Sequence, residues 1–263
     1  MLELRSPLDG MKSPFGAVRG RALSPVSLFA NGEPGDAWIS NREWCYTKTV
    51  GGVYENVTTT GDLVARRKGM ANGINQDQDD LAERPTYNEG GGLAWLETDG
   101  VNDYLFSPRS MDFSGGDIWN MTALMKFGGS GGIASTVFGS DFQYLRIDHN
   151  QLFIRSETGS SNSVGLPQML PNDAPSVAVA LAGKVDRSLI GRLDGVQIGP
   201  AFVPIGSPWY PSLSGASIGA SGSTGTGNIR AKFYGDIVVG RPKDFELIAQ
   251  AETYLAELFG AAL

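Results

Sequence analysis

The chain has 263 residues, 36 of them glycine, with 41% hydrophobic and 19% charged residues and a formal net charge of −7. That length buries a full core in one large β-domain or two ordinary ones, and the apolar share excludes a disordered chain. Abundant glycine with few charges fits a turn-rich all-β protein, and the acidic balance argues against a nucleic-acid-binding face. The one cysteine, Cys45, excludes an intrachain disulfide framework and any cysteine-rich metal site.

Residues 1–26 differ from everything after them. Arg5-Ser-Pro-Leu8 is echoed by Lys12-Ser-Pro-Phe15, and Ser24-Pro25 follows. Proline fixes φ and pushes the preceding residue to extended geometry, so a helix is excluded and a central strand disfavoured. Arg5, Lys12, Arg19 and Arg21 stand against Glu3 and Asp9, a cationic segment on an acidic protein. Extended, it reaches roughly 80 Å. We expect an arm that lies along a partner subunit, with Leu8 and Phe15 as plugs and Arg5, Lys12 and Arg19 as its charged contacts. The first residues lack a basic start followed by an apolar run, so no signal peptide is expected and synthesis is cytoplasmic. Val177 to Ala182, the longest apolar run, is too short to span a membrane.

Between Pro25 and Pro85 strand-like pieces (Ala37 to Ile39, Gly52 to Tyr54) alternate with polar loops. The run Asn72 to Asp80 offers carboxylates and amides of the kind calcium favours, but it lacks the EF-hand glycine, and a solvated loop is expected with no metal. Leu93 to Phe106 reads as a strand, a tight Asp99-Gly100 turn and a second strand, with Phe233 to Gly240 as its distant partner. Further strands are expected at Asn120 to Phe127 and Leu213 to Ala220. Hairpins are expected at Phe142–Arg155, at Ser176–Leu193 and around a second turn, Asp194-Gly195. Apolar residues at 245, 247, 248, 251, 255, 258 and 259 mark a C-terminal helix, capped by Asp244 and stopped at Gly260.

The Leu28 to Glu33 stretch, Arg84-Pro-Thr-Tyr87, the pair around Asp99 to Tyr104, the Leu193 to Val196 turn and Gly235 to Gly240 with its helix form an ordered set. Over residues 25–260 this set resembles the concanavalin A-like, laminin-G-like jelly-roll domains of phage and gene-transfer-agent virion proteins. The resemblance implies an all-β sandwich over residues 27–263, with a short C-terminal helix and an extended N-terminal arm. It also implies homo-oligomeric assembly and contact with other subunits in a particle. Ala65 to Gly73 departs from the pattern, which often carries an Asp-Lys-Ser-Gly-Asn-Gly segment there.

Chemistry is harder to find. His149 has no Gly-x-Ser-x-Gly elbow beside it, and two His/Cys residues in all cannot build a zinc site. Glu97 and Asp99 have the two-residue spacing of a glycosidase carboxylate pair, yet Asp99 enters the turn, so no enzyme is expected. Sugar binding needs aromatic faces beside amides and carboxylates. Trp209-Tyr210 between two prolines and the tip Asp148-His149-Asn150 offer them. The expectation is a non-enzymatic virion subunit that binds host surface glycan. The alternatives are a purely structural decoration or joint subunit, and a polysaccharide hydrolase or lyase.

Overall fold

The computed structural model describes residues 23–108, 111–139, 144–149, 151–155, 161–165, 170–203, 214–221 and 225–263. The arm residues Arg5, Leu8, Lys12, Phe15 and Arg19 lie outside these ranges, as do Asn150, Trp209 and Tyr210. A 3-10 turn, Pro25–Phe29, buries Pro25, Leu28 and Phe29, and Leu23 packs on the same cluster. The folded body therefore includes the last residues assigned to the arm.

The first strands are short: β1 (Gly35–Ile39), β2 (Cys45–Lys48), β3 (Tyr54–Asn56), β4 (Arg66–Arg67) and β5 (Gln76–Asp77). A hairpin follows, β6 (Thr86–Gly90) and β7 (Leu93–Asp99), and then β8 (Leu105–Phe106). The central strands are β9 (Ile118–Lys126), β10 (Ile133–Phe138), β11 (Tyr144–Asp148), β12 (Gln151–Arg155) and β13 (Ser161–Gly165). The last are β14 (Pro175–Ala182), β15 (Leu189–Leu193), β16 (Val196–Phe202), β17 (Gly215–Ile218) and β18 (Arg230–Gly240), before helix α1 (Phe245–Glu257).

Among the described residues these strands form two antiparallel sheets. One has eight strands in the order β16-β15-β14-β9-β18-β7-β6, with β1 continuing the β7 edge of β18. The other has ten, in the order β13-β12-β11-β10-β17-β8-β5-β4-β2-β3. Trp38, Leu96, Leu124, Phe233 and Val238 of the first sheet meet Leu105, Val137, Leu145 and Ile218 of the second, forming the inter-sheet core. Trp119, Met121, Val179, Tyr234 and Ile237 point the other way, onto Ile248, Ala251 and Leu255 of α1. The architecture is thus a β-sandwich with a helix docked on one outer face.

The helix begins as its sequence predicts, with the Asp244 side chain accepting from Glu246 N and Leu247 N at 3.1 Å each. Fully buried Glu252 then fixes it to the sheet through a bidentate pair with Arg192 of β15, at 3.0 and 2.8 Å. The Asp194-Gly195 turn does join a hairpin, β15 to β16.

Two expectations need correction. The Asp99-Gly100 turn joins no hairpin: β7 pairs with β6 and β18, whereas β8 lies in the opposite sheet with β5 and β17. Asp99 Oδ1 accepts from Val101 N at 2.7 Å and Asn102 N at 3.2 Å, which coils the chain into a corner rather than a two-residue reversal. Gly100 takes φ +79° at this corner, and a Cβ would stand 3.0 Å from the Arg230 backbone.

The run Asn72 to Asp80 is also a solvated loop only in part: Asn72, Gly73, Asp79 and Asp80 are exposed, whereas Gln76 and Gln78 are buried. Asp36 on β1 points into the sandwich and accepts from Ala37 N (2.8 Å), Ala71 N (2.8 Å), Asn72 N (3.1 Å) and Ile74 N (2.8 Å). Gly69 is obligatory beside it, because a Cβ would fall 2.1 Å from Asp36 Oδ2. Further along, Gln76 is fully buried and joins Arg67 and Asp236 across the core. Arg67 Nε donates to Gln76 Oε1 at 3.1 Å and Nη1 to Ser40 Oγ at 3.3 Å, while Nη2 pairs with Asp236. Gln76 Nε2 donates to the other oxygen of Asp236 at 3.1 Å. Burial raises the Asp236 pKa, and the Arg67 guanidinium opposes it.

Removing one member strands the other. Arg67→Met is expected to cost about 3 to 5 kcal/mol in urea unfolding, because Asp236 stays buried without its cation. The double change Arg67→Met/Asp236→Leu should be clearly more stable than the single one. A double mutant no better than Arg67→Met would contradict the pairing.

Candidate functional site

Strand alternation decides what β7 shows to solvent. Leu96 and Thr98 are fully buried in the sandwich, and Thr98 Oγ1 donates to Ile229 O at 2.5 Å. Glu97 and Asp99 are thereby sent to the outer face. The cross-strand partner of Glu97 on β6 is Thr86, with Asn88 beside Trp95; on β18, Lys232 stands opposite Glu97 and Arg230 opposite Asp99. The same face carries α1, but its aromatic contact ends at Trp95, whose ring lies 6.4 Å from Tyr234, which in turn meets Phe259 at 5.5 Å. Beyond that contact no described element covers the sheet. An open cleft of about 350 Å3 lies at this end of the sheet, lined by Thr86, Asn88, Glu97, Thr98, Asp99, Asp103 and Arg230.

The cleft's charges are not paired with one another. Arg230 stacks over Phe127 at 4.7 Å and Lys232 over Trp95 at 4.4 Å. Neither forms an ion pair among the described residues, and neither do Glu97, Asp99 or Asp103. Asp103, only 8% exposed, accepts from Asp99 N at 3.0 Å through Oδ2. Its burial, reinforced by the Asp99 carboxylate, lifts its pKa to about 7.

A larger hollow, about 610 Å3, lies at the β6–β7 tip beside Asn41, Arg42, Tyr87 and Glu89. Its polar groups are already satisfied: Arg42 Nε donates to Glu89 Oε2 at 2.8 Å, and the Tyr87 hydroxyl donates to the same carboxylate at 2.8 Å. A ligand there would have to break these bonds. The smaller cleft, with its unpaired charges, is the better candidate.

Of the tip residues expected from sequence, Asp148 and His149 lie within the described residues and make contacts inside the sandwich. Asp148 is buried, lies 3.3 Å from Arg146 and accepts the His149 backbone N–H at 2.8 Å. The His149 ring is braced against the glycine loop, with its Nδ1 3.2 Å from Gly132 N. That loop reaches the cleft from behind, since Ser130 Oγ accepts from Arg230 N at 2.8 Å. The structure therefore brings Glu97 and Asp99 together with Asp103, Arg230, Thr86 and Asn88, and leaves His149 outside the cleft. Arg230 and Lys232 were detectable from sequence: they alternate with Ala231 and Phe233, and so mark an outward basic row facing an outward acidic one. Among the described residues no group of three or more His, Cys, Asp or Glu side chains is placed to hold a metal ion, and no helix is long and apolar enough to cross a membrane.

Neither the protein-family models nor the curated proteins match this chain. Solved structures do. The binding domain of Paraclostridial Mosquitocidal Protein 1 is similar at a TM-score of 0.55 and 10% identity, covering 78% of this chain and 52% of that one. Trypanosoma rangeli sialidase in complex with sialic acid is similar at 0.52 and 11% identity, covering 82% and 36%. The binding domain of botulinum neurotoxin serotype G is similar at 0.50 and 9% identity, covering 82% and 51%. The chain thus spans about a third of the sialidase and about half of each toxin domain. At these identities the likeness shows the fold alone: a β-sandwich of the jelly-roll kind.

Asp103 makes the site's electrostatics measurable. Its pKa rises from 3.8 unfolded to about 7 folded, so its contribution to stability is complete below about pH 4 and lost as pH rises through 7. The urea midpoint should fall between pH 5 and pH 8, and Asp103→Asn should shrink that fall. An unaltered pH dependence in the variant would show that Asp103 titrates normally.

Proposed function

We propose that this chain is a non-enzymatic, glycan-binding subunit of a virus particle, tethered by its N-terminal segment and presenting the sandwich to a host surface polysaccharide. The observation that carries the binding reading is the open cleft, where three carboxylates and a guanidinium that form no ion pair among the described residues stand beside threonine and asparagine side chains. Sugar hydroxyls need acceptors and donors of this kind held in place without competing partners. The fold agrees with that reading, since similar sandwiches include one solved with sialic acid and two described as binding domains. The particle setting rests on the sequence resemblance and on the cationic Ser-Pro segment. The acids act here as ligand acceptors: Asp99 is held in its corner by backbone amides and is not free to attack.

Binding to immobilised capsular or surface polysaccharide should weaken at least tenfold in Arg230→Ala and in Glu97→Gln with folding intact. Trp209→Ala tests the alternative loop. Loss confined to Trp209→Ala would move the site away from the cleft, and no binding to any polysaccharide would favour a purely structural subunit.

The tether is tested separately. Deleting residues 1–22 should leave the sandwich folded and abolish incorporation into particles. Normal incorporation of the truncated chain would remove the tether from the account.

A further inference from the structure

The cleft's balance of charge says more than that it binds sugar. Three carboxylates, from Glu97, Asp99 and Asp103, face one guanidinium, from Arg230. Lys232, directly opposite Glu97 in the β7–β18 ladder, adds a second cation at the cleft's edge, its ammonium lying over the Trp95 ring. Thr86 and Asn88 on the far side are neutral. Behind Asp103, Tyr104 N donates to Glu83 O, and the Glu83 and Asp80 carboxylates add negative charge near the Tyr104 hydroxyl. With Glu97, Asp99 and Asp103 all ionised, the three acids outnumber Arg230 and Lys232 by one. The free hydrogen-bonding capacity is mostly that of acceptors, since Glu97 accepts no hydrogen bond from the described residues and Asp103 uses Oδ2 alone.

We infer that the cleft takes an uncharged, hydroxyl-rich sugar and excludes sugars bearing a carboxylate or sulfate, and that Asp103 sets how strict this exclusion is. The inference rests on the glycan-binding reading and specifies the ligand class of the same site. Hydroxyl groups supply the donors that the carboxylates lack, and a vicinal pair matches the two oxygens of one carboxylate. An acidic sugar would bring a further anion into a cleft with excess negative charge. At a separation of about 6 Å, each uncompensated charge then weakens binding on the order of tenfold. Below about pH 7 Asp103 holds its proton, removes one of these charges and turns from acceptor to donor.

The test uses the full chain and a panel of oligosaccharides presented in pairs, each neutral chain beside the same chain carrying one carboxylate, with lactose and sialyllactose as one pair. Affinities are measured at pH 8 and pH 5.5. The neutral member of a bound pair should win by at least tenfold at pH 8, with the preference reduced several-fold at pH 5.5. Glu97→Gln should narrow the preference at both pH values, and Asp103→Asn should make it independent of pH. Equal or tighter binding of the acidic member at pH 8 overturns the inference. So does a preference that neither substitution alters, in which case the glycan-binding reading survives at another site. No binding to any member of the panel overturns that reading and the inference with it.

Discussion

A guanidinium buried between two sheets holds this molecule in one arrangement. Arg67 belongs to β4 of the ten-stranded sheet and Asp236 to β18 of the eight-stranded one, with Gln76 closing the triangle. Apolar surfaces slide over one another with little penalty, but this contact tolerates no slip. A shift of one residue would turn Asp236 to the opposite face of its sheet and leave a charge buried without its partner. Asp36, one strand away, does the same for the chain between the sheets by collecting four backbone amides. These two carboxylates explain why the polar run Asn72 to Asp80 is tied to the core through its backbone and Gln76 while Asp79 and Asp80 stay exposed.

The strand that carries Asp236 also carries the site. β18 runs the length of the first sheet, beginning at Arg230 beside the cleft and ending at Gly240 near the start of α1. Its Gly235 to Val239 half is pinned by the buried pair, β1 and the helix; its Arg230 to Phe233 half pairs with β7 and displays two cations outward. The cleft is thus the outward end of an element whose other end is locked in the core. Its groups are placed in advance and leave no ion pair to break, which is the condition for polar recognition at low cost in ordering.

Much of the architecture was legible in sequence. Composition and turn spacing marked an all-β sandwich, and Phe233 to Gly240 was expected as the distant partner of the Leu93 strand, which β18 is over Arg230 to Phe233. The C-terminal helix could be read down to its Asp244 cap, because helix signals are local. The long-range polar partners were not legible. No spacing rule links Arg67 to Asp236, 169 residues apart, or tells a solvated acidic run from one that satisfies a buried core. The Asp99-Gly100 corner misled for a related reason: Asp-Gly favours tight reversals, but the corner here is made by Asp99 accepting from the amides that follow it. Glu97 and Asp99 were visible as a pair and set aside as turn formers. Asp99 is indeed a turn former, and the cleft appears only once Arg230 is brought opposite it by the sheet.

The central claim is that the end of the first sheet that no described element covers is where this protein meets its ligand. An NMR titration of the labelled chain with a neutral oligosaccharide tests this most directly. The account predicts chemical-shift changes concentrated in the backbone of residues 97–103 and 228–232 and in the Trp95 indole. Changes confined to residues 204–213, or to the hollow around Arg42 and Glu89, with the cleft unperturbed, would contradict it.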